Sequence, residues 1–362
     1  MDSTPPPIAR RPIAVFVIAA LLFSFLELAA QVRAQLKYGY SMLAMMEQDS
    51  MYVVDGATGL KLLRPGGVFV RNQQFIHSNS LGLRGPEIAT IRSPHSLRIA
   101  ILGASTVMGA TARDNEHTLP ALLEARLQAR LQRLDVEVIN AGISGYGLSD
   151  EQAMLEKRVA PLQPDLVVLY PGFNDFAPYC QPTSRHRPPA LKGLPVLALP
   201  EWWMTDDLVL KNTEPLRKAP PVISAARDAD GMDLSAYRAG VRSLIEAAHA
   251  RGEPLVVATV ARSFRREQPL QLQETLAAEI RSLLPCFSLD GMHRLFERHN
   301  DVLKTEALAA QVPVLELDRI IPGGDRYFSN TTHFADDGEA AAAAALADFL
   351  ADQHLLDPGA SP

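Results

Sequence analysis

The chain has 362 residues, 35 Lys and Arg against 41 Asp and Glu, and a formal charge of −6. An apolar fraction of 47% with 21% charged residues is that of a packed globular protein, which excludes a disordered chain and a multi-span channel. The acidic excess argues against a nucleic-acid binder, which needs a basic face. Two cysteines cannot build a disulfide framework, a four-cysteine zinc site or an iron–sulfur cluster.

In chain order the first feature is Arg10-Arg11 followed by the apolar run Pro12–Ala30. Its 19 residues would reach about 28 Å as a helix, close to the ~30 Å of a bilayer core. Glu27 interrupts the run, and the strictly apolar stretch Ile13–Phe23 has only the length of a signal-peptide core. Leu28-Ala29-Ala30 and Val32-Arg33-Ala34 offer small residues for cleavage. Residues 1–34 are therefore read as a membrane anchor or a signal segment, and both readings put the remainder outside the cytoplasm. The arginine pair favours an N-terminus held inside, against a weaker pull from Arg33 and Lys37. In an oxidising compartment Cys180 and Cys286 could pair; two buried free thiols are the alternative.

Residues 35–96 follow as a juxtamembrane stalk and lead-in, with short strands and turns expected in the Gly-, Pro- and Asn-rich stretch Tyr52–Ser96. Apolar runs then alternate with helical spacing. Leu97–Leu102 reads as a strand, and Leu119, Leu122, Leu123, Leu127, Leu131 and Leu134 follow at helical intervals. Val136–Asn140 is a second strand, then a helix capped by Ser149 and running to about Val159, then a third strand, Asp165–Tyr170. Residues 176–230 hold a large share of the 27 prolines around Trp202-Trp203, a long insertion over one face of the sheet. The pattern resumes with a helix Leu234–Ala250, a strand Pro254–Val260, helical stretches near Pro269–Leu284 and Gly291–Gln311, a fifth strand Pro313–Leu317, and an alanine-rich helix Gly338–Leu350. Residues 97–351 thus form one α/β domain, leaving 352–362 as a tail. The expected fold is a flavodoxin-like three-layer sandwich with a five-stranded parallel sheet, a long insertion after strand three and an N-terminal transmembrane or signal helix.

Such sheets place their chemistry at the carboxyl ends of the strands. After strand one comes Gly103-Ala104-Ser105-Thr106, a serine on a tight turn. Strand two is followed by Ala141-Gly142-Ile143-Ser144-Gly145-Tyr146-Gly147, which fits neither the G-x-S-x-G elbow nor the G-x-G-x-x-G fingerprint. Beyond strand three stands Gly172-Phe173-Asn174-Asp175, where an amide N–H could meet an oxyanion and Asp175 would tie the loop. After strand five comes Asn330-Thr331-Thr332-His333, a candidate general base.

Serine, glycine, asparagine and histidine at four strand ends, in this order, resemble the SGNH (GDSL-like) hydrolases. Ser105 matches the block I serine, Gly142 the block II glycine, Asn174 the G-x-N-D asparagine and His333 the block V histidine. The segment Asn79-Ser80-Leu81-Gly82-Leu83-Arg84 also resembles the N-x-x-G-[FL]-R lead-in of membrane-anchored bacterial members. The resemblance runs from about Phe75 to Leu350, without the insertion. Two positions depart from the family pattern: Ala104 stands where the block I Asp or Gly belongs, and Asn330 where block V has Asp.

The resemblance implies a serine esterase working through a Ser105–His333 dyad, with Asn330 as an orienting third member in place of the usual Asp. Asp325, Asp318 or a backbone carbonyl are the other groups that could orient the ring. The oxyanion would meet the Ser105 and Gly142 N–H groups and the Asn174 side chain; no metal or organic cofactor is implied. The expected substrate is an acyl group, above all acetyl, on an envelope glycan or lipid reached from the bacterial inner membrane, with the catalytic domain in the periplasm. An acyltransferase of the same fold and a non-catalytic glycan-binding or assembly protein are the alternatives. Trp202, Trp203, Phe176 and Tyr179 either line a cleft or pack the insertion onto the sheet. Arg185, His186 and Arg187 read as a solvated loop, and His293 and His299, six apart on one helix, share no face for a metal.

Overall fold

A computed structural model describes residues 10–38, 51–71, 74–180 and 228–356. The chain divides into two units, one carrying the N-terminal helix and the other the sheet. Helix α1 (Arg10–Tyr38) contains a 20-residue stretch, Ala14–Arg33, of mean hydropathy 2.2. It is long and apolar enough to cross a membrane, a property that signal sequences share. Val15, Phe16, Val17, Ile18, Leu21, Leu22, Phe25 and Leu26 are all exposed, so its apolar residues cover every face instead of one stripe.

The second unit opens with two small antiparallel elements. Strands β1 (Tyr52–Val54) and β2 (Lys61–Leu63) pair, as do β3 (Val68–Arg71) and β4 (Gln74–His77). The central sheet follows: β5 (Leu97–Gly103), β6 (Val136–Gly142), β7 (Leu166–Tyr170), β8 (Leu255–Ala258) and β9 (Val314–Leu315). All neighbours are parallel and the order is β6-β5-β7-β8-β9. Counted within the sheet this is 2-1-3-4-5, the flavodoxin-like order.

Alternate strand residues point to opposite faces, and both faces are buried. On one face Ala100, Leu102, Ile139, Ala141, Val167 and Leu169 meet α4 (Leu148–Met154), α5 (Ser235–His249) and α8 (Leu289–Ala309) through Met154, Val241, Leu244, Phe296 and Leu303. On the other, Ile99, Ile101, Val138, Val168 and Tyr170 meet α3 (Leu119–Leu131) and α10 (Asp336–Asp352) through Leu123, Leu127, Ala343, Leu346 and Leu350. The alanines of α10 let it lie close to α3, and the buried Glu339 carboxylate accepts from the Leu119 N–H at 2.8 Å, satisfying one open donor of α3. Leu60, Leu62, Leu63, Phe69, Ile76 and Leu83 belong to the first of these cores, so the lead-in from Met51 onward packs on the sheet.

Several boundaries differ from the sequence reading. Strand β6 runs two residues past Asn140, and Gly103 pairs with Gly142 inside the ladder. Helix α4 starts at Leu148, so Ser149 is not its cap; Gly147 is, with Asp150 accepting from the Gly147 N–H at 3.1 Å. The expected helix 269–284 divides at Ala277 into α6 (Leu270–Leu276) and α7 (Ala278–Leu283). Leu317 begins a short helix, α9 (Leu317–Ile320), instead of ending a strand.

Cys180 and Cys286 form a disulfide, with Cα atoms 5.5 Å apart. It joins the turn after β7 to the segment leading into α8, across 106 residues of sequence. A bridge closing so long a loop restricts the unfolded chain. Reduction, or Cys286→Ser, is expected to lower unfolding free energy by about 2–4 kcal/mol. Denaturant unfolding with and without reductant checks this, and coincident curves would exclude it.

Candidate active site

The site forms where β5, β6, β7 and the segment after β9 end together. Ser105 opens a one-turn helix, α2 (Ser105–Met108), directly after β5, so its N–H has no acceptor within that turn. Gly103 permits the bend: a Cβ there would stand 2.4 Å from both the Tyr170 carbonyl oxygen and the Val107 side chain. Gly109, at φ 75°, closes the turn in the left-handed region. The wholly buried Arg84 grips this closing end. Its guanidinium donates to the Gly109 oxygen at 2.5 Å, the Phe75 oxygen at 3.0 Å and Asn115 Oδ1 at 2.8 Å. Burial pushes the Arg84 pKa down to about 10, against the pull of Glu339, Asp114 and Glu116.

His333 reaches the serine from the other side: its Nε2 lies 2.7 Å from Ser105 Oγ. The ring is anchored by its neighbour Phe334, which is buried against Tyr170 and Phe328 at centroid distances of 6.0 and 5.2 Å. Thr111 Oγ1 donates to the Phe334 oxygen at 2.7 Å, tying the loop back to the serine segment.

Asn330 sets the tautomer. Its Oδ1 accepts from the N–H groups of Thr332 (3.2 Å) and His333 (3.0 Å), two obligate donors that fix which end of the amide faces inward. The same oxygen lies 3.0 Å from His333 Nδ1, so Nδ1 carries the proton and Nε2 presents its lone pair to Ser105. Asn330 Nδ2 points outward to Glu279 Oε1 at 3.5 Å. Among the described residues no carboxylate bonds the ring. Asp318 is engaged with Thr259 Oγ1 at 2.5 Å, and Asp325 makes no bond to the ring. Burial lowers the His333 pKa.

Asn174 opens the turn after β7, and its Nδ2 donates one proton to the Tyr146 oxygen at 2.7 Å, leaving the second without an acceptor among the described residues. Gly172 makes room, since a Cβ there would sit 2.6 Å from Ala104 Cβ and 3.3 Å from Asn174 Nδ2. The Asp175 carboxylate accepts from the Leu148 N–H at 3.3 Å, tying the turn to α4; burial raises its pKa.

Gly142 requires a correction. Its N–H donates to Asn140 Oδ1 at 3.1 Å, so it is not free to meet an oxyanion. The glycine is demanded by packing instead: a Cβ would stand 2.3 Å from the Met108 backbone nitrogen. Gly142→Ala is therefore expected to destabilise the fold by about 1–3 kcal/mol, read as a lower melting temperature; an unchanged melt would refute the packing role. The N–H that is available belongs to Gly145, at φ 85° in the turn Ile143–Tyr146, with no acceptor among the described residues. The second glycine of Gly142-Ile143-Ser144-Gly145 is the sequence signal for it, hidden when the strand is ended at Asn140.

Phe176 is fully buried against Phe296 and His299, so it belongs to the core and not to a cleft. Tyr179 is half-buried and bonds His299 Nε2 at 3.3 Å. Trp202, Trp203, Arg185, His186 and Arg187 lie outside the described residues. Burial pushes His293 and His299 down to about 4, which keeps both neutral. Among the described residues no group of three or more His, Cys, Asp or Glu could hold a metal.

Residues 101–341 match the profile of the GDSL-like Lipase/Acylhydrolase family. The chain belongs to this family. As a GDSL-like acylhydrolase it is a serine hydrolase, and Lys61 and Arg84 precede its matched region. Its fold is similar to a lipase/acylhydrolase from Enterococcus faecalis (17% identity, TM-score 0.42, covering 73% of this chain and 97% of that one). It is similar as well to an acetyl xylan esterase from Geobacillus stearothermophilus (16%, 0.43, 72% and 97%). An alpha/beta hydrolase from the metagenome of Lake Arreo, Spain, is a third (16%, 0.43, 74% and 99%). No curated protein matches the sequence.

Proposed function

We propose that this GDSL-like hydrolase is an extracytoplasmic esterase that removes acyl groups, above all acetyl, from an envelope glycan or lipid. The observation that carries the catalytic part is the chain of contacts Asn330 Oδ1–His333 Nδ1 at 3.0 Å and His333 Nε2–Ser105 Oγ at 2.7 Å. In this reading His333 takes the serine proton as Oγ attacks the ester carbonyl. The oxyanion meets the Ser105 N–H, the Gly145 N–H and the second proton of Asn174 Nδ2. His333 then protonates the leaving alcohol, and water releases the acyl-enzyme. The apolar α1 and the Cys180–Cys286 disulfide support a location outside the cytoplasm, with α1 as a single-pass anchor or a cleaved signal.

Hydrolysis of p-nitrophenyl acetate and butyrate by the full chain in detergent tests the reading, with acetylated glycans as the next substrates. Turnover that falls with chain length supports a deacetylase. Its absence from folded protein removes the esterase reading, and acyl transfer to a glycan in preference to water would replace it. The pH profile gives an independent check. Because burial holds His333 below the ordinary imidazole value of 6.5, protonation of the base stops the reaction only at lower pH. The acid limb of kcat/KM is expected below pH 6.5; a limb above it would contradict a neutral buried base.

A further inference from the structure

The lead-in hairpin puts a lysine on the turn that carries the Gly145 N–H. Lys61 opens β2, and its Nζ donates to the Ser144 carbonyl oxygen at 2.5 Å across 83 residues of sequence. The ammonium lies 5.1 Å from the ring centre of Tyr52 and 6.0 Å from that of Tyr146, both within cation–π range. Tyr146 returns the contact, its hydroxyl donating to the Lys61 oxygen at 2.6 Å. A Cβ on Gly145 would stand 3.1 Å from Nζ, so the lysine covers the outer side of that residue. Ser144 Oγ and Tyr52 Oη both donate to Met108 Sδ, at 3.4 and 3.6 Å, which links this corner to the last residue of the Ser105 turn.

The geometry of the turn gives the lysine its importance. Tyr146 N donates to the Ile143 oxygen at 3.2 Å, so residues 143–146 form a β-turn with Ser144 and Gly145 at its centre. Gly145 at φ 85° makes it a type II turn. Types I and II differ by a flip of the central peptide, here Ser144–Gly145, and a glycine in the third position tolerates both. In a trans peptide the C=O and the following N–H point in opposite directions. Holding the Ser144 oxygen on the Lys61 side therefore holds the Gly145 N–H on the opposite side, and the flip would reverse it. A charged donor on the oxygen also polarises the peptide and strengthens its N–H as a donor.

We infer that Lys61, outside the family-matched region, is a positioning residue that locks the Ser144–Gly145 peptide so that its N–H is presented to the oxyanion. This rests on the reading of Ser105 as nucleophile and Gly145 as oxyanion donor.

The test compares wild type, Lys61→Met, Lys61→Arg and Ser105→Ala, full chain, on p-nitrophenyl acetate, with phenylboronic acid as a probe that forms a tetrahedral adduct on the serine. Lys61→Met keeps the stem between the two tyrosines and removes the donor. It is expected to lower kcat about tenfold with KM within about twofold, and to weaken boronate inhibition by a similar factor. Lys61→Arg, which can still donate to the Ser144 oxygen, should recover most of the loss. A folded Lys61→Met enzyme with kcat and boronate affinity unchanged, beside an inactive Ser105→Ala, overturns the role of Lys61 and leaves the nucleophile standing. Loss of kcat that Lys61→Arg does not recover, with a fall in melting temperature common to both variants, reduces Lys61 to structural support and also overturns it. Retained turnover in Ser105→Ala overturns the nucleophile assignment, and the role of Lys61 with it. If Lys61→Met does not fold, Lys61→Leu, which also keeps an apolar stem and lacks a donor, carries the same comparison.

Discussion

Ser105→Ala is expected to reduce kcat at least about a thousandfold while leaving the protein folded. The hydroxyl is half-buried and its hydrogen-bond partner is His333, so removing it leaves no deeply buried group stranded. His333→Ala should cost a similar factor. The double variant should be little worse than either single one, because nucleophile and base act as a unit. Steady-state ester hydrolysis alongside circular dichroism measures this. A folded Ser105→Ala protein within tenfold of wild type would mean that turnover occurs elsewhere.

The second large effect is expected at Asn330. Alanine there removes the acceptor that fixes the ring of His333 and strips two backbone N–H groups of their partner. The imidazole could then rotate or exchange tautomers, and a loss of about a hundredfold in kcat is expected. A loss below about threefold would show that the ring is held by its packing alone. Asn330→Asp is the informative companion. A carboxylate beside Nδ1 favours the imidazolium, so the pKa of His333 rises and the acid limb of kcat/KM moves to higher pH. The same carboxylate would face Glu279, which now receives the Asn330 amide, and the repulsion should cost stability. Adding Glu279→Gln to the Asn330→Asp variant is expected to restore stability. If it does not, the contact between positions 330 and 279 carries no weight. In wild type the amide therefore does two jobs that an Asp could not combine: it accepts from the ring and donates toward an acid.

The sheet was legible because each strand is an apolar run, the first three of them stopping at Gly, Asn or Tyr, and the rule of carboxyl ends then pointed to Ser105 and Asn174, with His333 in the segment beyond strand five. What escaped involved contacts between residues far apart in sequence. Lys61 looks like an ordinary basic residue and Arg84 stands out only as the last position of the N-x-x-G-[FL]-R pattern; only the folded chain brings Arg84 to the end of the Ser105 turn and Lys61 to Ser144. Gly142 misleads for a local reason: the ladder with β5 continues through Ala141 and Gly142, small residues without the bulk that marks a strand. The role of Asn330 was visible only as a departure from a pattern; the three bonds converging on its oxygen give that departure a physical meaning.

The disulfide has a bearing on how the chain matures. With only two cysteines in the sequence, a single intramolecular connectivity exists, so oxidation cannot scramble within one molecule and needs no isomerase to correct it. Bond formation waits instead on the approach of two segments 106 residues apart, which docking of the segment before α8 beside the turn after β7 holds together. The thiol state of a nascent molecule is therefore a one-bit record of whether its two halves have met, readable as a mobility shift on a non-reducing gel.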